Sequence, residues 1–370
     1  MNPGIMEVQG ASCSEPCPGP VSRRRGGQPG CVMAPSTRKS DAERFTQEGE
    51  TLAEQGRYEE AVAEFEQAIT LCPTYWEIWF KKGLVKKTMG QFEDALAAFD
   101  KAMELQPKEA LIWFQKGIVF GMLGRIEEAL RCFDTILELD PSYAIRAWHE
   151  KGVNLGKLGR YEEALQSWDR IIEKDPKYVM AWYSKGIILS YLGRTEEALH
   201  CFDKGLDIYP RSPDLWYQKG LIFSRTKNLE RAQKCYEMAL SINPRHEESN
   251  LELGMIEEVH GHYERAFLYY DRVLEMDPKN PRAWYQKGTT MQRLGRNDEA
   301  LACYEKALEL NPMDMYIWFS KALLLASMGR VGDAIGAFDG ALAIQDVPEV
   351  RRLRDALVSE NGEGVSPPDT

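Results

Sequence analysis

A period of 34 residues constrains this chain more than any other feature. Seven of its nine tryptophans, Trp79, Trp113, Trp148, Trp182, Trp216, Trp284 and Trp318, fall at that spacing. The exceptions are one step of 35 (113 to 148) and one double step of 68 (216 to 284), where Asn250 takes the skipped place. Counting back 34 from Trp79 reaches Phe45, which gives nine copies between about Ala42 and Pro348. Length alone would divide 370 residues into two or three globular domains, but fixed-period self-similarity points to one small unit stacked on its own copies.

Other columns keep the same phase. Four residues after the aromatic stands a glycine (Gly49, Gly83, Gly117, Gly152, Gly186, Gly220, Gly254 and Gly288, with Ala322 in the ninth copy). Seven further on is a second glycine, replaced once by Lys227, and then an alanine in all nine copies, from Ala61 to Ala334. Four residues after that alanine there is always an aromatic: Phe65, Phe99, Phe133, Trp168, Phe202, Tyr236, Tyr270, Tyr304 and Phe338. Proline closes eight copies, from Pro73 to Pro312, with Asp346 in the ninth.

Each column has a physical reading. A mid-helix glycine costs about 1 kcal/mol against alanine, so its recurrence implies that a neighbouring helix passes too close for a side chain. The second glycine suits the left-handed residue that ends a helix. Alanine and aromatic four apart lie on one face of a second helix. Proline stops that helix. No segment alternates with a period of two, so no strand is expected. The unit is two antiparallel helices, neither of which buries its apolar face alone.

The unit Trp79…Gly83…Gly90…Ala95…Phe99…Ala102…Pro107 resembles the tetratricopeptide repeat. The resemblance covers about five-sixths of the chain. It implies an all-α, right-handed superhelical solenoid of nine helix-turn-helix repeats. The chain departs from the family where leucine usually precedes the first glycine, carrying Lys82, Lys116, Lys151, Lys185, Lys219, Lys287 and Lys321 instead. An acid follows the second-helix aromatic in every copy, from Glu66 to Asp339. Each lysine can therefore pair with the acid of the preceding copy to form a ladder, or both columns can be independently solvated.

The expected organisation is a Pro/Gly-rich disordered segment over 1–39, the repeats over 40–347, a capping helix over 348–358 and a disordered tail over 359–370. Ser40-Asp41-Ala42-Glu43 reads as a capping box that opens the first helix. Met33 heads a second candidate start, which would make the preceding residues an extension of the reading frame.

Chemistry is scarce. Cys132, Cys201, Cys235 and Cys303 share one column, but equivalent residues of stacked helices lie ~8–10 Å apart. That is too far for disulfides or a common zinc ion, so they read as packing residues. Cys13, Cys17 and Cys31 lack a partnered histidine, and His260 and His262 lack a third ligand. There is no phosphate loop, nucleophile elbow or zincin motif. The acid pairs that open second helices, such as Glu59-Glu60, complement the helix dipole. No catalytic residue, cofactor or metal is expected, and an enzyme with an unrecognised site is only a remote alternative.

A net charge of −11 disfavours nucleic acid, and no apolar run approaches the ~20 residues of a membrane span, so a cytoplasmic chain is expected. The family resemblance implies that first-helix side chains line a concave groove that binds a peptide or partner segment. The matching positions here are Phe80, Phe114, Ile118, Met122, Arg146, His149, Lys157, Tyr183, Ile187, Tyr191, Tyr217, Arg225, Tyr285 and Phe319. They form an aromatic and aliphatic strip with a few cations. The lysine/asparagine clamp of relatives that bind chaperone C-termini is not carried, since Phe80 or Phe114 and Leu84 or Ile118 stand at its places. The expected function is a non-enzymatic interaction scaffold, with self-association as the alternative. The seventh copy, with Asn250, Leu253 and the acids Glu247, Glu248, Glu252, Glu257 and Glu258, reads as a softer joint or an acidic subsite.

Overall fold

The computed structural model describes residues 35–363, and every regular element among them is helical. Two compact units divide between Ala181 and Trp182. The first contains α1 (Pro35–Glu54), α2 (Tyr58–Leu71), α3 (Trp76–Thr88), α4 (Phe92–Leu105), α5 (Ala110–Met122), α6 (Ile126–Leu139), α7 (Ala144–Lys157) and α8 (Tyr161–Lys174). The division falls within α9 (Val179–Tyr191). The second contains α10 (Thr195–Ile208), α11 (Pro213–Arg225), α12 (Leu229–Ile242), α13 (Glu247–Val259), α14 (Tyr263–Met276), α15 (Pro281–Arg293), α16 (Asn297–Leu310), α17 (Met315–Ser327), α18 (Val331–Ile344) and α19 (Pro348–Glu363). Helices joined by a short turn pack as pairs: α1 with α2 through α7 with α8 in the first unit, and α11 with α12 through α17 with α18 in the second.

The core repeats with the sequence. The alanine column from Ala61 to Ala334 is fully buried, as is the aromatic column from Phe65 to Phe338. The first glycine lies against that aromatic. A Cβ built on Gly254 would sit 2.3 Å from the Tyr270 ring, and one on Gly83 2.6 Å from the Phe99 ring. The helices of a pair therefore approach more closely than any side chain at that position permits.

Each odd-numbered helix through α17 ends in the same way. A backbone N–H two residues past the last turn donates to a carbonyl five residues back, as in Arg57 to Leu52 at 2.9 Å and Arg296 to Met291 at 2.9 Å. The intervening residue is left-handed, with φ from 72° to 78° at the eight glycines and 61° at Lys227. The turn geometry thus persists in the one copy that lacks glycine.

Three expectations need correction. α1 begins at Pro35, so Ser40–Glu43 lie inside it and cap nothing; proline suits a first helical turn because its missing N–H would be unpaired there anyway. Residues 35–39, expected to be disordered, belong to that helix. The final helix extends to Glu363 rather than ending near 358. Its Val350 is buried in the core formed with α17 and α18, and Arg354 reaches Asp339 at 3.4 Å. Expectations for residues 1–34, including Cys13, Cys17, Cys31 and Met33, and for 364–370 lie outside the described residues. The one-residue insertion near Ala144 is absorbed by a 3-10 turn at Pro141–Tyr143 and by α7, which has 14 residues where α5 has 13.

Denaturation of single variants tests the role of this packing. Gly254→Ala is expected to lower stability by about 1–3 kcal/mol, because the Tyr270 ring must move. Gly336→Ala, whose Cβ would meet nothing within 4 Å, should raise it by about 0.5–1 kcal/mol. Lys227→Gly should raise it by about 1 kcal/mol through relief of the left-handed backbone.

Candidate recognition surface on the first helices

The tryptophan and lysine columns form one repeated device. The indole Nε1 donates to the carbonyl of the proline six residues earlier: Trp79 to Pro73 at 3.0 Å, Trp113 to Pro107 at 2.9 Å, Trp284 to Pro278 at 2.9 Å and Trp318 to Pro312 at 2.9 Å. Above each of these rings lies the lysine three residues on, with Nζ 5.5–5.8 Å from the ring centre. The same lysine reaches the acid of the preceding pair. Lys82 meets Glu66 at 2.8 Å, Lys151 meets Asp134 at 2.5 Å, Lys219 meets Asp203 at 2.5 Å, Lys287 meets Asp271 at 2.7 Å and Lys321 meets Glu305 at 3.0 Å. Lys116 is paired with Asp100 in the same manner. The ladder reading therefore holds for these pairs. Each rung contributes little alone, about 0–1 kcal/mol, because the acid is largely solvated.

α13 keeps part of this device with other residues. Asn250 Nδ2 donates to the Pro244 carbonyl at 3.3 Å, six residues back like the indoles, and also to the His246 carbonyl at 2.9 Å. The lysine has no counterpart there, because Leu253 is buried in the core.

The residue after the tryptophan position is anchored on the core. Its ring packs on the core aromatic of its own pair: Phe114 on Phe133 at 6.1 Å, His149 on Trp168 at 5.1 Å, Tyr183 on Phe202 at 6.4 Å and Tyr217 on Tyr236 at 5.8 Å. Tyr285 and Phe319 do the same with Tyr304 and Phe338. These rings are half-buried. Phe80 is the correction: packed between Trp76 and Phe99 and only 3% exposed, it belongs to the core and lines no surface.

The remaining expected residues face water. In the first unit Met122, Arg146 and Lys157 are exposed and Ile118 is half-buried. In the second, Ile187 is 37% and Tyr191 70% exposed along one stripe of α9, and Arg225 is exposed at the end of α11. Polar bonds join neighbouring first helices on this face. Arg225 donates to Ser190 Oγ at 3.2 Å, Gln218 to Tyr183 Oη at 3.5 Å, and the Tyr285 and Ser320 hydroxyls lie 3.2 Å apart. Burial pushes the Tyr217 phenol up to about 12, so it stays neutral.

The acids of α13 are not a uniformly exposed patch. Glu248 is exposed, but Glu252, Glu257 and Glu258 are buried. Glu252 accepts from Arg282 at 2.8 Å, and Glu257 meets His262 Nδ1 at 2.8 Å. Glu258 accepts from the Tyr270 hydroxyl at 3.2 Å and from Thr290, and burial raises its carboxyl above the ordinary range. His246, also buried, caps α13 by accepting from the Ser249 N–H at 3.2 Å on Nδ1. Ser249 Oγ and Asn250 Oδ1 are buried without a hydrogen-bond partner, which costs stability. The sequence signal for this was present, since polar Ser249 and Asn250 interrupt columns that are apolar or tryptophan in every other copy after the first.

Cys132, Cys201, Cys235 and Cys303 are all buried, and burial pushes the Cys132 thiol up to about 11. Among the described residues no group of three His, Cys, Asp or Glu is placed to hold a metal ion, and no helix is long and apolar enough to cross a membrane.

Family models match along most of the chain. Those described as tetratricopeptide or TPR repeats cover residues 49–90, 77–109, 110–143 and 285–347. A model for the N-terminal TPR region of Psidin covers 157–257, and one for the protein prenyltransferase α-subunit repeat covers 263–294. No curated protein sequence matches. Among solved structures, yeast Tom70 is similar at 13% identity and TM-score 0.54, with 88% of this chain and 90% of that one covered. Cut9, in the APC/C Cut9–Hcn1 hetero-tetramer, is similar at 13% identity and TM-score 0.54, covering 86% and 76%. A tetratricopeptide repeat protein from Parabacteroides merdae gives 20% identity and TM-score 0.54, covering 68% and 99%.

The raised carboxyl of Glu258 fixes the sign of a pH effect. Its folded state holds the proton more tightly than the unfolded chain, so its contribution to stability falls as pH rises above the ordinary carboxylate value. Glu258→Gln should therefore gain stability relative to the native chain as pH rises from 4 to 7, measured by denaturation at each pH. A constant difference across that range would contradict the assignment.

Proposed function

The chain belongs to the tetratricopeptide repeat family, and on that premise we propose that it is a non-enzymatic, cytoplasmic scaffold that binds a peptide or partner segment on its first-helix face. The observation that carries this reading is the exposed stripe Ile187–Tyr191 on α9 in the second unit. Large apolar side chains held in water on a rigid helix, beside half-buried Tyr183 and Tyr217, have the character of a recognition surface. The half-buried tyrosines supply fixed rings at little entropic cost, because the core aromatics already hold them. In the first unit Met122, Arg146 and Lys157 offer a second, more cationic surface of the same kind.

Self-association is the alternative, favoured by one observation: Leu353 and Val358 on the last helix are 43% and 45% exposed. Light scattering across concentrations separates the two readings, with a concentration-independent monomer expected for the scaffold.

Affinity capture from the native host tests the proposal. Tyr183→Ala/Tyr217→Ala should lose the partner. Ile187→Ser/Tyr191→Ser, whose side chains lie outside the core, should lose it with an unchanged melting curve. Full recovery of the partner by both double variants would overturn the assignment.

A further inference from the structure

We propose that the second unit selects a peptide carrying a basic and an acidic residue about five positions apart on either side of an apolar one, lying along α11; this rests on the scaffold reading above. One face of α11 runs from an acid through an aromatic and an aliphatic residue to a base: Asp214, Tyr217, Leu221 and Arg225 recur every three or four residues. Asp214 and Arg225 are exposed, and Tyr217 and Leu221 are half-buried between them.

The acidic end is reinforced by the next first helix. Asp214 Oδ1 lies 3.4 Å from His246 Nε2, and Glu248 Oε2 lies 3.6 Å from His246 Nδ1. Two exposed carboxylates thus flank the buried imidazole, one near each ring nitrogen, and its ring lies 5.4 Å from that of Tyr217. An ammonium or guanidinium group at this end of the face is attracted by two exposed carboxylates beside an aromatic ring, which together favour a cation. At the opposite end Arg225 is held toward the face by its bond to Ser190 Oγ at 3.2 Å, and its other guanidinium nitrogens remain available for a carboxylate.

Asp214 and Arg225 are eleven residues apart on one helix, hence about 16 Å along its axis. An extended chain covers that distance in about five residues at ~3.3 Å each. The central side chain then lies over Tyr217 and Leu221. Charge complementarity with both ends fixes the spacing; the apolar centre supplies burial.

The test is selection of a random twelve-residue phage-display library on the full chain, followed by fluorescence polarisation of the enriched peptides. Enriched sequences should carry Lys or Arg and Asp or Glu four to six positions apart around an apolar residue. Asp214→Lys/Glu248→Lys should weaken them by about tenfold or more and prefer peptides with the basic residue changed to Glu. Arg225→Glu should prefer peptides with the acidic residue changed to Lys. Enriched peptides that lose binding to Tyr217→Ala but not to the charge variants would overturn the charge pattern and leave the scaffold reading standing. Peptides insensitive to every one of these variants, or no enrichment at all, would count against both.

Discussion

The contact between the first glycine and the second-helix aromatic sets the rest of the structure. At Gly49, Gly83, Gly117, Gly152, Gly186, Gly220, Gly254 and Gly288 an added Cβ would fall 2.3–2.8 Å from that ring. The paired helices are therefore flush at this point, and the neighbouring residues take their places from it. The residue after tryptophan lays its own ring on the core aromatic and, Phe80 apart, stays half-buried there. The indole is carried to the proline carbonyl of the preceding turn, and the lysine beside it to the acid of the preceding helix. A single close approach, repeated, thus determines both the core and which side chains remain on the surface.

Most of this was legible because a repeat displays each constraint many times. A lone glycine in a helix says little, whereas the same glycine at one phase beside an aromatic sixteen residues on implies contact. The lysine–acid ladder was legible for the same reason, but only as one of two readings, because spacing alone does not separate paired columns from independently solvated ones. What escaped was whatever depends on burial at one position. Phe80 and Phe114 occupy the same column, yet only Phe80 is fully covered, because Trp76 closes over it. The helical start at Pro35 escaped because Pro/Gly-rich composition masks the short helical run that precedes Ser40.

α13 shows how a departure from the pattern is accommodated. Asn250 retains the bond to the proline carbonyl that tryptophan makes elsewhere, but it leaves an unpartnered oxygen in the interior. Three buried acids on the same helix find Arg282, His262 and the Tyr270 hydroxyl as partners. Composition read these acids as one class, whereas position separates them. Glu252, Glu257 and Glu258 bind the helix to its neighbours, and Glu248 faces water near one nitrogen of the imidazole whose other nitrogen meets Asp214. The local polarity weakens the core here while arranging charge on the first-helix face.

The claim on which the functional account depends is that partners are bound by the first helices and not by the second helices or the terminal helix. Hydrogen–deuterium exchange of the full chain with its captured partner tests this most directly. The account predicts added protection along α9, α11 and α13, with α12, α14 and α19 unchanged. Protection confined to even-numbered helices or to α19 would contradict it.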